Sequence, residues 1–222
     1  MPEKRNNKLK KHAKAHTIYK NSDGMRVPGT TTIMSILAKP ALIKWANDLG
    51  LEGIEYTKYL DVLADVGTLA HKIVECYFTQ EKVDYSNYSK NVIEKAENCI
   101  KSFNAWTKSH TVDPIENELQ LVSEQFQFGG TIDCYCKING EVYLLDFKTG
   151  KALYDEQLIQ LSAYMQLLNE NGYPCHKAKI LRIGRSEGEG FEERELTNFA
   201  RYWQIFDACN KIYKLKKEIE RG

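Results

Sequence analysis

Two aspartates and a lysine in this chain occupy positions that strand geometry would bring together. Asn139-Gly140 separates the run Thr131–Ile138 from the run Glu141–Lys148. Asn-Gly between such runs is a strong hairpin signal, because both central residues of a type I′ turn need positive φ. A two-residue loop pairs Ile138 with Glu141, and the same register carried back along both strands sets Asp133 against Asp146. Their β-carbons would then lie roughly 4.5–5.5 Å apart, and like charges so opposed are destabilising unless a cation lies between them. A divalent metal is the natural occupant. Lys148 follows Asp146 by two residues, so period two puts its ammonium on the same face. The geometry is conditional on a tight turn, since a bulge would shift the register.

Such a group suits phosphodiester hydrolysis. Mg²⁺ or Mn²⁺ prefers carboxylate oxygen, polarises a phosphate and acidifies a bound water. A neighbouring ammonium can help orient and deprotonate the attacking water, and offset charge developing on phosphorus. The plainer alternative is a surface Asp146–Lys148 ion pair beside an incidental Asp133, because a bare D-x-K triplet is common.

The elements that must position these residues follow from hydrophobic period. Asn21-Ser22-Asp23-Gly24 reads as a turn that links two short strands, and Thr30-Thr31-Thr32 as helix N-cap residues. Helical pieces are predicted near 31–38 and 40–49, the second opened by Pro40. Longer helices follow over 60–78 and 88–109, where apolar residues recur at helical spacing. The period then becomes that of strands over Leu119–Phe128, Thr131–Ile138 and Glu141–Lys148. A helix is predicted over 154–169, ended by Asn171-Gly172, then strands over Ala178–Ile183 and 191–196, and a helix from Phe199 to about Glu220. The fold class is therefore α/β: helix, three strands in hairpin succession, helix, strand, with added N- and C-terminal helices. The expected organisation is a basic flexible tail at 1–16 and one domain at 17–222, its core spanning about 60–197.

Four segments, taken in order, resemble RecB-like and phage-type exonucleases of the PD-(D/E)XK superfamily. Gly67-Thr68-Leu69-Ala70-His71, continuing to Glu75, is similar to that family's G-x-x-x-H helix, and Gly129-Gly130-Thr131-Ile132-Asp133 to its G-x-x-D strand. Leu145-Asp146-Phe147-Lys148-Thr149-Gly150 is similar to its D-x-K-T strand end, and Gln160-Leu161-Ser162-Ala163-Tyr164 to its Q-x-x-x-Y helix. The resemblance implies a restriction-endonuclease-like core. It implies that Asp133, Asp146, the backbone carbonyl of Phe147 and His71 hold Mg²⁺ or Mn²⁺, and that Lys148 is the catalytic lysine. Gln160 and Tyr164, on one helix face, would support Lys148 or contact the scissile strand. Glu118 or Glu124 would supply an extra acidic residue, Glu118 being favoured by its place on the strand leading to Asp133. The implied activity is DNA exonuclease action in phage or prophage recombination, replication or repair. DNA is the expected partner, with a single-strand annealing or other recombination protein a further one. The alternatives are a structure-selective endonuclease and a non-catalytic DNA-binding protein on a nuclease scaffold.

Bulk properties constrain the rest. Net charge is only +1, so a nucleic-acid role must rest on local charge. Lys8, Lys10, Lys11 and Lys14 in the tail are candidate phosphate contacts, and Lys211, Lys214, Lys216, Lys217 and Arg221 form a second basic group. A solvated surface is the competing reading of both. The six cysteines have no C-x-x-C spacing and read as reduced, mostly buried thiols; only Cys175 and Cys209 follow the D-x-K strand, so no iron–sulfur cluster is expected. No apolar run is long enough to span a membrane and the first residues are polar, so a cytoplasmic location in a bacterium or phage-infected cell is expected. The aromatic stripe Phe199, Tyr202, Trp203, Phe206 and Tyr213 is expected to pack rather than stack on bases.

Overall fold

A computed structural model describes residues 17–222; the expected tail at 1–16 lies outside the described residues. β1 (Tyr19–Lys20) and β2 (Arg26–Val27) form a small antiparallel ladder around the Asn21–Gly24 turn. Then come α1 (Thr30–Met34), α2 (Pro40–Leu51), α3 (Tyr56–Thr79) and α4 (Lys90–Thr107). The chain continues through β3 (Val112–Ser123), β4 (Phe128–Ile138), β5 (Glu141–Lys148) and α5 (Asp155–Glu170), and closes with β6 (Ala178–Ile183), β7 (Phe191–Glu195) and α6 (Phe199–Arg221).

The main sheet has the order β3-β4-β5-β6-β7, antiparallel except where β5 runs parallel to β6. The parallel pair needs a crossover, and α5 supplies it. Helices cover both faces. One apolar core joins Leu144, Ile180 and Ile132 of the sheet to Leu161 and Leu168 of α5 and Phe206 of α6. The other joins Leu145, Phe147 and Leu181 to Val66 and Leu69 of α3 and to Phe103 and Trp106 of α4. Each buried side chain of this size stabilises the fold by about 1.5–3 kcal/mol relative to exposure. All six cysteines are free and buried, Cys134 and Cys136 side by side in the second core.

The hairpin forms as the dipeptide requires: Asn139 has φ 51°, Gly140 φ 87°, and Ile138 pairs with Glu141. Several boundaries differ from expectation: α1 already ends at Met34, α3 begins at Tyr56 and β4 begins at Phe128. The α1 cap position is Gly29, with no side-chain cap, so the three threonines lie inside that short helix. The expected strand over Leu119–Phe128 instead runs Val112–Ser123, its first half exposed on the sheet edge where no apolar alternation announces it. Pro114 and a register slip at Ile115 are tolerated there because an edge residue need not donate to the ladder. The strand stops at Ser123 because Ser123 Oγ accepts the Phe126 N–H at 2.9 Å, closing a turn that reaches Gln127 at φ 52°.

Candidate active site

The end of the β4–β5 ladder lies between α3 on one face and α5 on the other. Regular pairing ends at Cys134 with Leu145, one step before Asp133 and Asp146. Beyond it the Asp133 side chain takes over the role of a main-chain partner: its Oδ2 accepts the Phe147 N–H at 2.8 Å. The other oxygen, Oδ1, is 3.6 Å from His71 Nδ1 on α3. Glu118, opposite Asp133 on β3, has φ 50°, a left-handed conformation that a residue with a β-carbon holds only when its surroundings impose it. His71, Glu118 and Asp133 thereby bring one ligand atom each to within 4.8 Å of one another.

Asp146 is only 2% exposed. Its Oδ2 is 2.5 Å from Lys148 Nζ, yet that buried oxygen accepts no well-directed hydrogen bond. Burial pushes the Asp146 carboxyl up to about 6, against the pull of the Lys148 ammonium. Lys148 shows the reverse balance: burial disfavours its charge, but Asp146 and then Asp133 hold its pKa above the usual value. It is therefore an ammonium, suited to donating to an anion; proton acceptance, anticipated from the sequence, is disfavoured while both carboxylates face it. The same contest raises His71 and lowers Asp133: each is penalised by burial, and their mutual attraction prevails. Glu118 keeps solvent access, but the protein crowding its carboxyl, followed by the Asp133 charge, pushes it up to about 7.

On α5, Gln160 Nε2 donates to Tyr164 Oη at 2.7 Å, and burial next to Asp146 and Asp133 raises the phenol well above its ordinary value. Tyr164 fits because Gly130 is a glycine: a β-carbon there would come 2.7 Å from the Tyr164 ring and 2.9 Å from Leu167. Gly129 likewise admits the Tyr19 ring, whose hydroxyl shares a 2.8 Å hydrogen bond with Thr131.

A cleft of about 600 Å³ opens over His71, Glu118 and Asp133, with Thr68, Thr149 and Tyr164 in its wall. It shares Thr68, Glu118 and Thr131 with a larger groove of about 1150 Å³, along which Arg26, Lys214, Lys217 and Arg221 stand. Those four cations outnumber the groove's two carboxylates, Glu118 and Glu218.

A profile of the PD-(D/E)XK nuclease superfamily matches residues 45–217. The chain belongs to that superfamily. The match covers every element from α3 to β7, including all the strands of the main sheet. A search of curated proteins gives no match. Among solved structures, the crystal structure of SSO0001 is similar at 12% identity over 66% of this chain and 70% of that one, with a TM-score of 0.31, too low to support any argument.

The superfamily's residues fit a divalent cation here. Two carboxylates and an imidazole converge, the oxygen and nitrogen donors that such an ion accepts. Asp146 itself is not in the converging trio, its carboxylate being turned to Lys148. Of the two glutamates weighed from sequence, Glu118 reaches the site; Glu124 instead accepts the Ser22 N–H. Gln160 bonds to Tyr164 rather than to Lys148. Lys8, Lys10, Lys11 and Lys14 lie outside the described residues. Sequence reasoning gave no role to Glu75, which lines the cleft one helical turn from His71, or to Thr131. Both were discoverable, Glu75 by i,i+4 spacing and Thr131 by its period-two relation to Asp133.

Proposed function

We propose that the protein is a Mg²⁺- or Mn²⁺-dependent DNA exonuclease, acting in recombination, replication or repair of phage or prophage DNA. The observation that carries the reading is the meeting of His71, Glu118 and Asp133 beside the buried Asp146 and its half-buried partner Lys148, at the mouth of a basic groove. His71, Glu118, Asp133 and Asp146 would hold the metal, with the Phe147 carbonyl as a further candidate. A bound divalent ion would polarise the phosphate and acidify a water. Lys148, held as an ammonium by Asp146, donates to the non-bridging oxygens and offsets the charge that accumulates there. Tyr164, kept protonated and oriented by Gln160, presents a hydroxyl to the same cleft. The groove cations would hold the phosphates of the strand being cut. The preference for ends rests on the RecB-like motif set, and DNA and a recombination protein are the partners this reading proposes.

End-labelled linear DNA and circular single-stranded DNA, each with Mg²⁺ or Mn²⁺, test it. Linear DNA is expected to shorten while circles survive, and Lys148→Ala is expected to lose at least about a hundredfold in rate with the fold intact. Cut circles would turn the reading to an endonuclease; a folded wild type inert on every DNA form would end it.

A further inference from the structure

α6 has two apolar faces, and only one of them is used by the fold. Phe206, Cys209 and Asn210 are buried against the α5 side of the sheet. On the far side of the helix, Ile205, Ala208, Ile212, Leu215 and Ile219 recur at alternating spacings of three and four. That is the a/d pattern of a coiled-coil seam, with isoleucine at every a position and alanine or leucine at d. The four large members are 39%, 50%, 58% and 81% exposed in chain order, and Ala208 is exposed as well. A groove of about 600 Å³ lies over the first part of the seam, Ile205, Ala208 and Ile212, walled on its other side by Ile36 and Leu37. Contiguous exposed apolar surface of this kind marks an interaction site.

We propose that this seam binds α6 of a second copy of the chain, in antiparallel orientation, with Ile212 opposite the partner helix's leucine at 215. An identical helix supplies a matching 3-4 repeat, which an arbitrary apolar surface does not. The flanking charges favour one direction, with Lys211 already joined to Asp207 of its own helix. A parallel pairing would set Lys211 against the Lys216 position of its mate, lysine against lysine on both sides of the axis. The antiparallel register that stacks Ile212 on Leu215 and Ala208 on Ile219 sets Lys211 against Glu218 instead, twice by symmetry. The helix is already ordered against the core, so a seam of two heptads does not also have to fold it, as an isolated peptide of that length would. None of the five seam residues lines the cleft over Asp133, although Glu218 of the charge pair also stands in the larger groove that joins that cleft.

Sedimentation equilibrium of the full chain, from about 1 to 100 μM at roughly 0.1 M salt, tests it, a salt level at which flanking charges are still felt. Dimer is expected at the upper end, and Leu215→Glu, at an exposed position that should leave folding intact, is expected to remain monomeric. Lys211→Glu and Glu218→Lys are each expected to weaken the dimer by about fivefold or more, and the double variant to restore it, since the opposed charges are exchanged. A wild type monomeric at about 100 μM, a dimer indifferent to Leu215→Glu, or a double variant no tighter than the single ones would each overturn the proposal. Should Leu215→Glu fail to fold, the charge-exchange series decides alone.

Discussion

Asp146 and Glu118 are carboxyls whose titration the surrounding protein moves toward neutral pH, and that sets how pH and metal act on this molecule. Their folded pKa values, about 6 and about 7, lie above the ordinary 3.8 and 4.5. Between the ordinary and folded values the folded state holds protons that the unfolded chain has released, so stability falls as pH rises through that window. Asp133 is shifted the other way; its contribution is lost only as pH falls below its ordinary value of 3.8. A divalent ion competes with the protons on Asp146 and Glu118, so its stabilising effect grows with pH. Thermal melts in chelator should therefore show the wild type losing ground to Asp146→Asn as pH rises from about 4 to about 6, the window set by the Asp146 shift. Added Mn²⁺ should raise the wild-type midpoint more at the higher pH. Equal Mn²⁺ shifts at both values would mean that these carboxyls are not the ligands.

At the scale of elements, the site depends on how closely α5 and β1 approach the start of β4. Gly129 and Gly130 are required for proximity: the Tyr19 ring lies against the first, and Tyr164, Leu167 and Thr30 against the second. Gly130→Ala would force a methyl to within 2.7 Å of the Tyr164 ring, so α5 or the ring must move. Overpacking of this kind costs about 1–3 kcal/mol, or a fall of roughly 2–12 °C in Tm for a chain of this size. Calorimetry should record that loss, and cleavage should fall further than stability explains because Tyr164 lines the cleft. A variant with unchanged Tm would show that the helix yields without cost. The hairpin is a separate device, since the exposed Asn139-Gly140 turn, bonded to Thr111, sets the register from the other end of the ladder.

Across the whole molecule, charge is distributed rather than abundant. A net +1 conceals a groove in which Arg26 of β2 and three cations of α6 flank the approach to the acidic cleft. If that groove holds the strand, Arg26→Ala and Arg221→Ala should each weaken DNA binding uniformly across sequences and reduce the salt slope by about 1. Binding titrations over a salt series measure this, and an unaltered slope would remove the groove from the DNA path. Among the described residues no helix is long and apolar enough to cross a membrane. The amino-acid sequence by itself determined the local facts: the hairpin and its register, the shared face of Asp146 and Lys148, the helix periods, and the motif set from Gly67 to Tyr164. These depend on backbone period and turn chemistry, which act over a few residues. Only the tertiary structure decided that Glu118 rather than Glu124 reaches Asp133, that Asp146 turns to Lys148 and away from the converging trio, and that β2 and α6 share a groove with the cleft. Those outcomes depend on which elements lie side by side, and burial, desolvation and through-space charge act between residues that the chain order keeps far apart.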